Sequence, residues 1–363
     1  MRLSETKIIE RLESIGVQYA PLVLVSVEKE LTVADGLRAD AIIRFRISDG
    51  PSFDALAEIT CLASPKNVRT KSMQVLDLAR RADNPRLIPL LVAPYVPPKQ
   101  ADALEEAGVS WLDLSGNMVI RVSDRIYIER TGRPNQFPDT TPIRKVFQGT
   151  ASLVARALLL KPGGFASLSE LVDFINSRNA SIALSTASKV LSSLEEDLLV
   201  LKEGSRIQAI DPPKLLDRLA EGYASSTRTP RLSTYRFAVE NVDRVLQDFR
   251  SMPGTAYVFC GFYAAELKGL AASTQVTMYV RDMARFQEVS ARLPSNLLPD
   301  EEFGQLSITE RKDQTPWFNA QTINGVPVVD DIELYLEMMT DTPRGPKVAA
   351  ALRSRILGKV ASG

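Results

Sequence analysis

In the first 138 residues the apolar pattern switches repeatedly between strand-like and helix-like, and this alternation limits the fold more than any other feature. After an amphipathic helix, SETKIIERLESIG, five apolar runs read as strands: LVLVSVE, ADAIIRFRI, FDALAEITCLA, RLIPLLVAPYV and NMVIRVSDRIYIER. A helix, NVRTKSMQVLDLARRA, lies between the third and fourth runs, and another, PPKQADALEEAGV, between the fourth and fifth. Strands mixed with crossover helices indicate an α/β domain over residues 1–138.

The chain has 363 residues, and at about 100–200 residues per domain two or three domains are expected. Two polar stretches divide it. TGRPNQFPDTTP (131–142) and SSTRTPRLS (225–233) read as linkers. The middle block, 143–222, is mainly helical. VFQGTASLVARALLL has helical periodicity and stops at the PGG of 162–164. A second helix starts at Ser167, with Glu170 three residues on in a capping-box pattern. Then come ASIALSTASKVLSSLEEDLLV, two short strands around EGSR, and a Pro-started helix, DPPKLLDRLAEGYA. The last block, 234–363, offers a strand, glycine turn and helix in TAYVFCGFYAAELKGL. It continues with a strand QVTMYV, a helix RDMARFQEV and an amphipathic helix in PVVDDIELYLEMM.

Composition removes several chemistries. The chain has no histidine, so Ser–His and Cys–His catalysis are excluded. Cys61 and Cys260 are far apart, too few for a closed zinc site. They read as buried free thiols suited to a reducing cytoplasm. Hydrolysis would have to rest on carboxylates and a hard metal such as magnesium. Lys+Arg and Asp+Glu both number 44, which excludes a wholly basic nucleic-acid coat and leaves room for a local basic patch. No apolar run reaches 18 residues, so a soluble, non-secreted, cytoplasmic protein without membrane contact is expected.

The middle block has the element order of a winged helix-turn-helix. Its reader would be the helix from about Ser185 to Asp197, with Val190, Leu191, Leu194 and Leu198 on the apolar face. Ser185, Thr186, Ser188, Lys189 and Ser192 fall on the opposite side or at its start. Small hydroxyls permit close approach to the major groove and bond phosphates or bases, and Lys189 adds a cation. Lys202 and Arg206 sit at the hairpin tip, where a wing touches phosphate. Arg144, Lys145 and Arg156 would extend the basic track. The acidic run Glu195–Glu196–Asp197 must face away from DNA. LSTASKVLSSLEEDLLVLKE resembles winged-helix regulators, and the likeness covers residues 145–212. A winged helix used for protein contacts is the other reading.

Two more resemblances flank it. ADAIIRF, FDALAEIT and a helix carrying Gln74 are similar to the core of the PD-(D/E)XK nucleases. The resemblance implies an Asp at one strand end and Glu-x-Lys on the next, holding Mg²⁺ to activate water. Asp40 and Glu58 match the acids. Thr60 stands where lysine is required, and Lys66 or Lys71 on the following loop and helix are the candidates to replace it. This departure favours an inactive, DNA-holding relic over an active nuclease; plain strand-end acids on an unrelated sheet are the third option. In the last block, YVFCGFYAAELKGLA, VVDDIELYLEMM and PRGPKVAAALRSRIL resemble the C-terminal domain of AbiE-type abortive-infection antitoxins over roughly residues 235–360. That likeness implies a degenerate nucleotidyltransferase fold. Gly261 of the turn remains, but Thr277 and Tyr279 replace the paired acids that nucleotidyl transfer needs. The domain is expected to serve dimerisation, toxin contact or a second DNA contact. AbiE-type antitoxins usually begin with the winged helix, whereas here an α/β domain precedes it.

The expectation is a three-domain chain: α/β restriction-endonuclease-like, winged helix, and α+β nucleotidyltransferase-like. Its function would be sequence-specific DNA binding as a catalytically inactive, antitoxin-like transcriptional regulator. The alternative is a Mg-dependent PD-(D/E)XK-type nuclease using Asp40 and Glu58. Double-stranded DNA is the expected partner, together with a cognate toxin or other protein, and the chain is expected to dimerise. No cofactor is expected outside the magnesium of the alternative.

Overall fold

The computed structural model describes residues 3–14, 19–34, 37–48, 50–82, 84, 87–122, 126–137, 145–227, 233–251, 257–291, 297–300, 302–340 and 344–361. The protein is of mixed α/β class and divides into two compact units, residues 1–144 with 196–198, and residues 145–195 with 199–363.

The first unit runs α1 (Glu5–Ser14), β1 (Leu22–Ala34), β2 (Leu37–Ile47), β3 (Ser52–Ile59), α2 (Pro65–Arg81), β4 (Leu87–Ala93), α3 (Pro98–Glu106), β5 (Ser110–Asp113), β6 (Met118–Val122) and β7 (Ile126–Arg130). The strands form one seven-stranded sheet in sequential order. Steps β3–β4 and β4–β5 are parallel, and the others antiparallel. A parallel step needs a long crossover, which α2 and α3 supply. Helix α2 starts where Ser64 accepts the Asn67 N–H and Pro65 takes the first helical position. One face of the sheet packs Ile43, Leu90 and Val92 under Ile8, Ile9 and Leu12 of α1. The other packs Leu56, Leu91 and Trp111 under Val68 and Val75 of α2 and Leu104 of α3.

Three features differ from the expectation. The run 117–130 is a hairpin of two strands. Strand β5, SWLD, was not anticipated; its four residues are all buried, so it shows no alternation and is too short to read. Residues 131–137 lie on the sheet instead of forming a linker. There the Arg133 N–H donates to Asn117 Oδ1 at 2.7 Å and the Gln136 N–H to Ser115 Oγ at 3.2 Å. Residues 138–142 of that expected linker lie outside the described residues.

The second unit begins with α4 (Ser152–Leu160), α5 (Leu168–Asn176), α6 (Leu184–Glu196), a hairpin of β8 (Val200–Glu203) and β9 (Arg206–Ala209), and α7 (Pro212–Thr227). Helix α7 extends into the expected second linker. There follow β10 (Thr234–Ala238), α8 (Val242–Arg250), β11 (Tyr257–Phe259), α9 (Gly261–Leu267), β12 (Val276–Val280) and α10 (Met283–Ser290). The chain continues with β13 (Leu298–Pro299), β14 (Leu306–Glu310), β15 (Gln321–Ile323), β16 (Val326–Val328), α11 (Asp331–Thr340) and α12 (Gly345–Ala361). These strands form a mixed sheet ordered β13-β10-β14-β12-β11-β16-β15. The β15–β16 hairpin turns at Asn324 and Gly325, both left-handed (φ 51° and 80°), as a type I′ turn requires.

The helical block and this sheet were expected as separate domains, yet they share one continuous core. Leu158, Leu216 and Leu219 belong to the same buried cluster as Phe259, Leu334 and Leu336. Helix α11 is the reason. It was read as amphipathic, but every residue from Asp331 to Met338 is buried. Its acids point inward because cations meet them there: Arg156 of α4 lies 2.6 Å from Glu333 Oε2, with side chains 1% and 0% exposed.

Candidate functional site

In the first unit the last paired residues of the β2–β3 ladder are Ala41 and Ala57. Asp40 and Glu58 stand one step beyond them, on the face covered by α2. Lys71, on the second turn of α2, reaches down to both. Its Nζ lies 3.0 Å from Asp40 Oδ2 and 2.6 Å from Glu58 Oε2. Asp40 Oδ2 also accepts the Ile59 N–H at 2.8 Å. Of the two candidate lysines, the structure thus joins Lys71 to the acids. Thr60, at the position where the nuclease pattern has lysine, is buried and donates its hydroxyl to the Leu62 carbonyl at 2.8 Å.

The cluster is half-open, with side-chain exposures of 28% for Asp40, 5% for Glu58 and 23% for Lys71. Burial raises the Glu58 carboxyl above the usual range, and Lys71 only partly offsets it. Burial alone would lower the Lys71 ammonium, but bonds to Glu58 and Asp40 win and raise it. Two hard oxygen ligands suit magnesium, whose other positions are normally filled by water and phosphate. Among the described residues no group of three or more His, Cys, Asp or Glu is arranged to hold a metal.

In the second unit, α6 buries Ala187, Val190, Leu191 and Leu194. Leu198, expected on that face, is only half-buried. It turns left-handed (φ 56°) as the helix closes, with the Leu199 N–H donating to the Leu194 carbonyl at 2.9 Å. The other face shows Ser185, Ser188, Lys189 and Ser192 exposed and Thr186 half-exposed. The Ser192 hydroxyl donates to the Ser188 carbonyl at 3.1 Å. Lys202 and Arg206 are exposed on the hairpin, which turns at left-handed Gly204. The Arg206 guanidinium donates to the Gly163 carbonyl at 3.2 Å and keeps donors to spare. The acidic run starts ten residues beyond Ser185, about 15 Å along the axis.

The basic track is shorter than expected. Lys145 is exposed, but it precedes α4. Arg156 is buried and bound to Glu333, so it presents nothing to a ligand. Arg144 lies outside the described residues.

The glycine turn of the last block is closed by its own chain. Gly261 (φ 58°) donates its N–H to Glu337 Oε2 at 2.8 Å. An added Cβ there would stand 2.8 Å from Thr277 Oγ1, which fixes glycine at this position. The Thr277 hydroxyl donates to the Cys260 carbonyl at 2.6 Å. Two acids, Glu333 and Glu337, lie one helical turn apart on α11, and both are buried. Burial first, and then the negative Glu333, push the Glu337 carboxyl up to about 8. Burial likewise lifts Asp330 to about 6. This cluster is buried in the core.

No family model matches the chain, and no curated protein matches it. Among solved structures, the crystal structure of the Megavirus polyadenylate synthase aligns at 7% identity with a TM-score of 0.24, over 58% of this chain. The alignment spans 49% of that protein, about half its length. No helix among the described residues is long and apolar enough to cross a membrane.

Proposed function

We propose that this protein is a sequence-specific binder of double-stranded DNA, a transcriptional regulator of the antitoxin kind, which reads DNA with α6 and the β8–β9 hairpin as a winged helix. One observation carries the reading: α6 buries Ala187, Val190, Leu191 and Leu194 while leaving Ser185, Ser188, Lys189 and Ser192 open to solvent. A helix presents its first turns to base edges, and small hydroxyls with one lysine let it approach closely. Lys202 and Arg206 supply phosphate contacts beside it. One such helix reads only a few base pairs, so we propose that two copies bind an inverted repeat. The test is titration of a labelled random-sequence duplex pool across a salt series. Affinity should fall steadily as salt rises; no binding at about 50 mM salt would overturn the reading.

A second reading is favoured by Lys71. Its ammonium stands at both acids, which removes the objection that Thr60 raised against a nuclease. Asp40 and Glu58 would hold Mg²⁺, which would supply an activated water for phosphodiester attack. Plasmid DNA incubated with the protein and Mg²⁺ should stay intact under the regulator reading. Cleavage abolished by Asp40→Ala or Glu58→Ala would establish the nuclease instead.

A further inference from the structure

The turn before α6 is gripped from the C-terminal sheet. Ser181, three residues before the helix, donates its N–H to Gln314 Oε1 at 2.7 Å, and Gln314 Nε2 donates back to the Ser181 carbonyl at 2.9 Å. The Asn319 N–H donates to the Arg178 carbonyl at 3.2 Å. Within the turn, Asn179 is left-handed (φ 57°) and Asn176 Oδ1 accepts the Ile182 N–H at 2.8 Å. Residues 311–320, between β14 and β15, form the grip and are themselves well anchored. Arg311 Nε lies 2.7 Å from Asp313, which accepts the Thr315 N–H and hydroxyl. Trp317 and Phe318 are buried, and the Arg281 guanidinium lies 4.3 Å from the centre of the Trp317 ring.

We propose that this loop is a positioning element for α6, with Gln314 as the residue that fixes where the helix starts. A side-chain amide offers a donor and an acceptor in one plane, so it pairs with a backbone N–H and C=O as a neighbouring strand would. A carboxylate only accepts, and would keep one bond while opposing the Ser181 carbonyl. Base edges are read through directional hydrogen bonds, so the pose of α6 decides which edges Ser185 and Ser188 meet. The C-terminal sheet would thereby be part of the reading head, and a partner that moved residues 311–320 would change DNA selectivity. This last consequence rests on the DNA reading above; the positioning contact does not.

The experiment compares full-length wild type with Gln314→Ala and Gln314→Glu. By amide hydrogen exchange, residues 182–188 should open about tenfold faster in Gln314→Ala and by a smaller factor in Gln314→Glu, with α4 and α7 unchanged. Equal exchange in 182–188 for wild type and Gln314→Ala would overturn the proposal. The second arm uses duplex DNA, both the random pool and the tightest sequence that wild type selects from it. Gln314→Ala should keep the salt slope and lose about tenfold of the preference for the selected sequence, because the phosphate-facing cations are untouched. An unchanged preference would also overturn it. If wild type binds no duplex while 182–188 still open faster in Gln314→Ala, the DNA reading falls and the positioning role stands.

Discussion

Helices α6 and α11 both carry polar residues among leucines, and they use them in opposite ways. In α6 Ser185, Ser188, Ser192 and Lys189 face water, and Val190, Leu191 and Leu194 face the core. In α11 the acids face the core as well, because Arg156 comes to Glu333 at 2.6 Å and the Gly261 N–H to Glu337 at 2.8 Å. The comparison teaches that polar spacing on a helix marks a binding face only where no partner group has been buried against it. Exposure of Lys189 leaves it available to a ligand, whereas burial of Glu333 spends its charge inside the fold.

The sharpest way to break this contrast is Glu333→Ala, which strands the Arg156 guanidinium in the core. A buried pair broken from one side costs about 3–5 kcal/mol. Trp111 lies in the first unit and Trp317 in the second, so a Trp111→Phe background lets fluorescence report unfolding of the second unit alone. Replacing both partners by methionine should recover much of the loss. A Glu333→Ala protein as stable as its parent would mean that α11 is not held by its acids.

The next effect is on pH dependence. The Glu337 carboxyl titrates at about 8 in the fold, against 4.5 ordinarily. Between these values the folded state holds a proton that the unfolded chain has released. Stability of the second unit should therefore fall as pH rises from about 5 to 8, with the loss complete above 8. Glu337→Gln should flatten most of that slope, leaving a smaller one from Asp330 at lower pH. Denaturant midpoints measured by Trp317 fluorescence across this range check the sign; a slope unchanged by Glu337→Gln would contradict it.

The Asp40–Glu58–Lys71 cluster lies between the two helices in character, charged and paired but half-open. Lys71→Met should destabilise the first unit by about 1–3 kcal/mol, less than the sealed pair loses. Trp111 fluorescence in a Trp317→Phe background would measure it. A cost equal to that of Glu333→Ala would erase the distinction between open and sealed clusters.

What the sequence revealed was mostly local. The α/β alternation, the Ser167 cap on the Glu170 N–H at 3.1 Å, the hairpin around Gly204 and the apolar face of α6 all follow from near neighbours. The capping box closes on one side only, since Glu170 Oε2 takes the Ala166 N–H instead of that of Ser167. The Asn324–Gly325 hairpin is equally local, since its turn rests on two adjacent left-handed residues. Long-range pairing was not legible. Whether Lys66 or Lys71 meets Asp40 depends on how α2 lies across the sheet. That Arg156 is a core residue depends on Glu333, far away in sequence. Gln314 carried no signal, because it recognises a backbone turn and not a side-chain pattern.

The most direct test of the DNA-reading claim is the salt dependence of duplex binding by wild type and by Lys189→Ala/Arg206→Ala. Each phosphate contact contributes about 0.9 to the slope of log affinity against log salt. The double variant should bind more weakly, with a slope shallower by about 2. Identical affinity and slope in the two proteins would contradict the assignment of α6 and its hairpin as the DNA-contacting surface.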